Sequence, residues 1–249
     1  MLHVSLQGVA RRPRAYVRVT GPAAEDYLQR MLSNDVTSGD VFDALLLTPK
    51  SRLIAPLRVW RRGPEDFLLL TEPELGEVVR AALLRSRFAA KCEIEPEEHM
   101  SLLVFGEAEG LPGELPGTVE VLDAALEPTL DADEVERARI EAGVPAWGKE
   151  LDDSILPAEA GLDETHISFT KGCYPGQEPI ARLRHRGKAN RRLRVLDVEA
   201  AASGDEIIWE DKVVGRVTSA VSGSALGYVR TEVPDDAELS VGGATARLH

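Results

Sequence analysis

Hydrophobic and polar positions along the chain set out a series of short elements. Residues 14–20 alternate, with Ala15, Val17 and Val19 on one face, which predicts a half-buried strand. Thr20-Gly21-Pro22 then marks a helix start, with Thr20 or Gly21 near the cap and Pro22 in the first turn. Ala24, Tyr27, Leu28, Met31 and Leu32 recur at helical spacing and predict its buried stripe, ending before Ser33-Asn34-Asp35-Val36. Two apolar runs, Ala44–Leu47 and Leu53–Trp60, flank Thr48-Pro49-Lys50-Ser51 and predict a hairpin. Asp66–Leu70 reads as a further strand. A helix is predicted from Glu72-Pro73-Glu74 to about Arg87, with Leu75, Val78, Val79, Ala82 and Leu83 inward and acids at its N-terminal end. Strands follow near Lys91–Glu95, at Ser101–Phe105 and near Thr118–Leu122, and Gly106–Gly117 reads as a loop. Asp131–Ala142 is the next helix, with Asp131 as its cap and Gly143 as its stop.

The pattern changes after Gly187. Short apolar runs at Leu193–Val198, Glu206–Trp209, Val213–Ser219, Leu226–Arg230 and Ala244–Leu248 alternate with Gly, Asp and Ser. Asp211-Lys212 is placed as a hairpin turn, and the spacing predicts a small antiparallel barrel. Two domains are expected, 1–186 and 187–249. Strands and helices interleave in the first, and several strand neighbours look antiparallel, so its class is α+β.

A chain of 249 residues is long enough for two domains, each with its own core. The net charge of −13 argues against general nucleic-acid binding, which needs a basic footprint. Residues Met1 to Gln7 lack a basic start followed by an apolar core, and no apolar run approaches the ~18–20 residues that span a bilayer. A cytoplasmic protein with no membrane partner is expected. The only cysteines, Cys92 and Cys173, make no disulfide framework and cannot supply the four thiolates of a typical iron–sulfur cluster. Neither a Cys-x-x-Cys pair nor a His-Glu-x-x-His helix occurs, so no metal site is expected.

The densest chemistry lies in Lys171-Gly172-Cys173-Tyr174-Pro175-Gly176-Gln177-Glu178. Two glycines permit a sharp turn, and Pro175 stiffens it. If the entry is extended, Lys171 and Cys173 share a side, and a neighbouring cation raises the thiolate fraction of a cysteine. A buried structural cysteine in a tight turn is the competing reading. Polar, glycine-rich flanks and the cations that follow favour a functional thiol. Those cations are Arg182, Arg184, Arg186, Lys188, Arg191, Arg192 and Arg194, with His185 among them and no acid between. They read as an anion site, as a solvated face, or as a patch for an acidic partner.

The motif Lys-Gly-Cys-Tyr-Pro-Gly-Gln-Glu resembles the signature of the YgfZ-type folate-binding proteins, relatives of the glycine-cleavage T-protein (aminomethyltransferase). The likeness extends along most of the chain. Gly21-Pro22 through Tyr27-Leu28-Gln29 to Asn34-Asp35-Val36 resembles the N-terminal element of that superfamily. Arg139-Ile140-Glu141-Ala142-Gly143 resembles its Arg-x-Glu-Ala-Gly segment. Pro157-Ala158-Glu159-Ala160-Gly161 resembles its Pro-x-Glu-x-Gly segment, and Val217–Ala220 with Ala225–Val229 resembles its C-terminal barrel.

The resemblance implies a T-protein-like folate-binding region with a ferredoxin-like subdomain, followed by a small C-terminal antiparallel β-barrel. It implies tetrahydrofolate as the ligand, with Glu141 on the pterin and Tyr174, Gln177, Glu178 and Arg182 in the same site. A last-turn surface glutamate is the plain alternative for Glu141. The true aminomethyltransferase has an aspartate after the strand matching Asp66–Leu70; this chain has none between Phe67 and Arg80, where only Glu72, Glu74 and Glu77 offer carboxylates. Aminomethyltransferase also lacks the Lys-Gly-Cys signature. Both departures point to the YgfZ-type branch, for which the resemblance implies folate-dependent support of iron–sulfur cluster assembly or repair, with iron–sulfur proteins or their assembly machinery as partners. Cys173 would act there as a transient sulfur or iron ligand or as a nucleophile, with Lys171 keeping it ionised. A tetrahydrofolate-dependent one-carbon transferase is the alternative, and a pure interaction module is the third.

Overall fold

The computed structural model of the chain describes residues 6–187 and 189–249. Met1–Ser5, on which the reading of the N-terminus rested, lie outside the described residues, as do Lys188 and the side chain of Arg186 in the basic run. In chain order the first region holds β1 (Gly8–Arg11), β2 (Ala15–Thr20), α1 (Ala24–Met31), β3 (Val41–Leu47), β4 (Leu53–Gly63) and β5 (Asp66–Thr71). A 3₁₀ turn, Pro73–Leu75, leads into α2 (Gly76–Ser86), followed by β6 (Glu93–Glu97), β7 (Ser101–Phe105), β8 (Leu111–Pro112) and β9 (Thr118–Leu122). Then come α3 (Ala132–Glu141) and α4 (Gln177–Arg186). The last region is all strand: β10 (Arg191–Val198), β11 (Glu206–Trp209), β12 (Lys212–Val221), β13 (Gly223–Arg230), β14 (Glu238–Val241) and β15 (Ala244–Leu248).

Three sheets result. The largest has the order β3-β4-β5-β2-β6, paired antiparallel throughout. Within it β2-α1-β4-β5-α2-β6, with spatial order β6-β2-β5-β4, is the split βαβ arrangement of ferredoxin-like folds, and β3 extends the β4 edge. The second sheet has the order β1-β7-β9-β8, and the third closes as the barrel β10-β13-β12-β11-β14-β15.

The two helices cover one face of the large sheet. Val17, Val19, Phe67 and Leu69 meet Ala24, Leu28, Val79 and Leu83 in one buried cluster. The Tyr27 hydroxyl donates to the Leu83 carbonyl at 2.6 Å, tying α1 to α2. On the opposite face Tyr16, Leu68 and Leu70 pack with Leu111 of the second sheet, so β2 is covered on both sides rather than half-buried. Arginine–carboxylate pairs fill the seam: Arg14 donates twice to Glu120, at 2.9 Å each, and Arg12 reaches both Glu72 and Glu114. Burial opposes ionisation of Glu114, but Arg14 and Arg12 outweigh it and hold its pKa down at about 2.

A further cluster joins the regions. Leu45, Leu47 and Leu53 of the β3–β4 hairpin pack against Leu151, Ile155, Leu162 and Ile167 of the irregular stretch, Tyr174 and Ile180 of the motif and α4, and Tyr228 of the barrel. Arg139 adds a polar tie. It donates to Glu150 Oε2 at 2.8 Å and to Ser219 Oγ at 2.9 Å, while Ser219 donates to Glu150 Oε1 at 2.6 Å. The Tyr228 hydroxyl donates to the Glu150 carbonyl at 2.8 Å.

Several expectations change. Val78 is 46% exposed, because α2 turns only the side carrying Val79, Ala82 and Leu83 to the sheet. The helix before β3 begins after Ala23, and no side chain caps it. The strand placed near 91–95 runs from Glu93 to Glu97, since the chain turns at Phe88-Ala89 after α2 and Lys91 and Cys92 are still irregular connection. The 106–117 loop contains the two-residue strand β8, and β1 and β14, too short for a periodic signal, were missed. The barrel turn lies at Glu210-Asp211, both with positive φ of 48° and 60°, and Lys212 already belongs to β12. Asp131 caps α3 as expected, in a full capping box with Glu134.

Candidate functional site

Two anchors fix the motif. At its C-terminal end Gly176 has φ +85°, and a Cβ there would stand 2.6 Å from the Thr48 carbonyl oxygen and 3.1 Å from Ser51 Cα. Only glycine lets the chain cross the β3–β4 turn so closely. Ser51 completes the contact by donating its hydroxyl to the Gly176 carbonyl at 2.6 Å. At the N-terminal end, Lys171 Nζ donates to the carbonyls of Leu32 at 2.7 Å and Asn34 at 2.8 Å. The end of α1 is a natural place for a cation, because its last carbonyls lack helical partners. The ammonium also sits 5.5 Å from the centre of the Tyr174 ring. Burial pushes the Lys171 pKa down to about 8, with Asp35 opposing the shift.

The receiving loop is itself docked. Ser33 donates to the His166 carbonyl at 2.6 Å, and Asn34 Nδ2 donates to the carbonyls of Asp43 and Thr165 at 2.8 and 3.1 Å. Ser33-Asn34-Asp35 is therefore a turn that also joins the large sheet to the segment leading into the motif.

Between the anchors the chain divides inside from outside. Tyr174 is buried, and burial pushes its hydroxyl up to about 12. Its oxygen has no hydrogen-bond partner among the described residues. Gly172 and Cys173 are exposed. The two cysteines thus differ: Cys173 is open to solvent, while Cys92 is 5% exposed in the sheet core, where burial raises its pKa. No hydrogen bond joins Lys171 to Cys173 among the described residues; the lysine head is held by two carbonyls and an aromatic face.

From Gly176 the chain turns directly into α4. Gln177 is half-buried. Glu178 and Arg182 form an i,i+4 pair at 2.8 Å on the open face of the helix, with side chains 84% and 69% exposed. Arg184 lies over the Phe169 ring, 3.7 Å from its centre. Glu141 stands apart. It ends α3, pairs with Arg137 at 3.7 Å, and lines a groove with Ala220, Val221 and Ser222 at the β12–β13 turn. The pocket beside the motif is lined instead by Arg182, Arg184, Phe169 and Leu156.

Two further, partly open spaces lie near the seam of the two sheets. One, of about 110 Å³, is bounded by Arg14, Asp43, Arg58, Trp147 and His166; the other, of about 410 Å³, by Arg12, Arg139 and Leu130. They share Glu72, Glu114, Val144, Pro145 and Trp147. Burial keeps His166 below the ordinary histidine pKa. Glu72 is held by both Arg12 Nη atoms, and Glu77 pairs with Arg80 at the surface. Among the described residues no group of three or more His, Cys, Asp or Glu side chains is placed to hold a metal ion.

Sequence reasoning missed Ser51, Phe169 and the node of Arg139, Glu150 and Ser219. It also missed α4, whose signal was present: Ile180 and Leu183 are one turn apart, directly after a glycine.

The architecture is that of the aminomethyltransferase fold. The crystal structure of glycine cleavage system aminomethyltransferase T from Bartonella henselae superposes with a TM-score of 0.77, covering 95% of this chain and 82% of that one at 17% identity. Residues 190–249 match the family described as "CAF17, C-terminal beta-barrel domain". The chain is 31% identical to the tRNA-modifying protein YgfZ of Edwardsiella ictaluri, over 71% of this chain and 66% of that protein. It is 26% identical to the mitochondrial iron-sulfur cluster assembly factor IBA57 homolog of Phaeosphaeria nodorum, over 79% of this chain but 57% of that protein. The chain belongs to the T-protein superfamily, as a member of its YgfZ-type branch. No helix among the described residues is long and apolar enough to cross a membrane.

Proposed function

We propose that this chain is a tetrahydrofolate-binding accessory protein that supports iron–sulfur cluster assembly or repair through Cys173. The observation that carries the reading is the presentation of that thiol. It is exposed on a loop whose two ends are pinned, while the only other cysteine is buried. A thiolate so placed can take the outer sulfur of a donor persulfide, the donor leaving as its thiolate, and pass it to an acceptor thiolate by the same exchange, or it can ligate iron reversibly. With one exposed cysteine and no metal-holding cluster among the described residues, the remaining ligands of any iron or cluster would come from a partner or a small thiol. The names of the YgfZ and IBA57 relatives support a place in this chemistry. Lys171 serves it by fixing the loop to α1.

The residues present fit a folate in kind. Tyr174 offers a buried hydroxyl without a partner, Gln177 an amide, Glu178 a carboxylate and Arg182 a guanidinium. A pterin edge presents adjacent N–H donors, which a carboxylate such as that of Glu141 can accept. Bound folate would supply a one-carbon carrier or a reductant; Glu141, in the groove at the β12–β13 turn, and the residues of the motif and α4 offer it two separate places.

Two measurements test the reading. In cells lacking this protein, Cys173→Ser should fail to restore the activity of iron–sulfur enzymes; full rescue would end the thiol proposal. Calorimetric titration of the anaerobic, reduced protein with tetrahydrofolate should show binding that Glu141→Ala weakens and Cys173→Ala leaves intact. No heat of binding by the unaltered protein would remove folate from the proposal.

One observation favours a second reading, a one-carbon transferase: Glu72 lines both spaces near the sheet seam and lies in the segment after β5 where the resemblance implies an aspartate. Its carboxylate is already bound by Arg12, which weakens that case. Turnover of an N-methyl or aminomethyl donor with tetrahydrofolate would restore it.

A further inference from the structure

Beside α4 the surface opens into a cavity of about 560 Å³. That volume falls in the range of about 300–1,000 Å³ typical of small-molecule sites. The wall is apolar, formed by Leu156, Pro157, Phe169, Ile180 and Leu183 among others. Three guanidiniums stand on it, those of Arg182, Arg184 and Arg192, against one carboxylate, that of Asp163. Arg182 is tied to Glu178. Arg184 and Arg192 make no salt bridge among the described residues. Their neighbours do: Arg191 is bound to Glu159 and Arg194 to Asp235. Arg184 and Arg192 thus stand on one apolar cavity with no carboxylate partner among the described residues, an arrangement suited to an anion.

Arg184 is also prepared for one. Its guanidinium is held over the Phe169 ring, and an arginine stacked on an aromatic face keeps its N–H edge free for a carboxylate or phosphate. Fixing the group beforehand lowers the ordering cost of binding. We propose that this cavity binds a small organic anion with an apolar body. The body, aryl or acyl, lies against Phe169, Ile180 and Leu183; the carboxylate or phosphate is held by Arg184 and Arg192. The site shares Arg182 with the folate reading but takes its anion on Arg184 and Arg192, and it does not rest on that reading.

The test uses the full chain and naphthalene-2-carboxylate as the probe, with its neutral carboxamide and 2-naphthyl phosphate beside it, in low-salt calorimetry. One-site binding of the carboxylate or phosphate is expected, at least about tenfold tighter than that of the carboxamide. The Arg184→Gln/Arg192→Gln double variant should lose about tenfold or more for the anions and little for the carboxamide. Ala158→Trp, which fills the cavity from its wall, should abolish binding of all three with the circular dichroism of the fold unchanged. Arg247→Gln, on the barrel away from the cavity, is the control and should change nothing. Absence of saturable anion binding, equal binding of the carboxamide, or unchanged affinity in the double variant overturns the proposal. Displacement of the probe by tetrahydrofolate would also overturn it, because the cavity would then be part of the folate site. Failure of tetrahydrofolate to bind while the probe still binds would count against the folate reading alone.

Discussion

Ser51 and Gly176 meet across 125 positions of sequence, hydroxyl to carbonyl at 2.6 Å, and this contact closes the motif onto the β3–β4 turn. Both residues hold positive φ, Ser51 at 61° and Gly176 at 85°. The contact is therefore an agreement between two turns rather than a strand pairing.

Gly176→Ala should destabilise the fold by about 1–3 kcal/mol from backbone strain, with the clash against Thr48 adding to it. Ser51→Ala removes a buried donor and should cost about 1–3 kcal/mol. Urea denaturation gives both values. Hydrogen exchange should show the amides of 171–178 losing protection more than those of the barrel; uniform loss would mean that the contact serves general stability only.

The thiols should separate by reagent. Native protein treated with iodoacetamide should take up one equivalent, at Cys173, and denatured protein two. Peptide mass mapping reads this directly. Native labelling of Cys92 would show that the large sheet opens far more readily than its packing implies.

Glu150→Ala should be among the most damaging single changes outside the apolar core. Glu150 is fully buried, and its loss strips Arg139 and Ser219 of a shared acceptor, although Arg139 stays paired with Glu136 at 2.7 and 2.9 Å. Leaving buried donors unsatisfied in this way costs about 1–3 kcal/mol. Arg139→Met/Glu150→Leu, which removes both charges, should recover much of the loss, as urea titration of the pair and the single variants will show.

The pH dependence of stability should carry a histidine signature. His99 lies between Glu97 at 2.7 Å and Asp123 at 2.6 Å, with Arg62 and Tyr16 packed around the group. Burial lowers its pKa, but the two carboxylates outweigh that and raise it above 6.5. The stability it adds is complete below the unfolded value and is lost as pH rises through the folded one. Glu97, held down to about 2 chiefly by Arg62, contributes above its ordinary 4.5 and loses that contribution in acid. The cluster is thus strongest between about pH 4.5 and 6.5. His99→Gln should lower Tm more at pH 5.5 than at pH 8.5; equal losses would show that the ring acts by packing alone.

Much of this was legible in the residues because the signals were local. The cap at Asp131 and the apolar run Ser101–Phe105 depend on neighbours a few positions apart, and the structure has both, as a helix cap and as a strand. What was not legible depended on distant partners. Lys171 was expected to face Cys173 by strand alternation, but the acceptors that claim it, Leu32 and Asn34, lie 139 and 137 positions away. Val78 fitted the helical stripe, yet only the sheet decides how wide a stripe α2 needs. Of the candidate site, the exposed thiol and the basic helix after it could be found in one stretch of sequence. The separate setting of Glu141 could not, since it follows from how α3 meets the β12–β13 turn.

The pinning of the motif at Lys171 and Gly176 has a consequence for handing over cargo. Cys173 hangs on a taut span only a few residues long, each adding at most ~3.3–3.6 Å of reach. It cannot swing to collect and deliver, as a cysteine on a long arm would. In the role proposed for Cys173, the donor and the acceptor would each come to the same fixed point on the surface, one after the other. The chain would then act as a waypoint with a single berth, and the order in which its visitors arrive would be set by their own affinities rather than by any movement of the thiol.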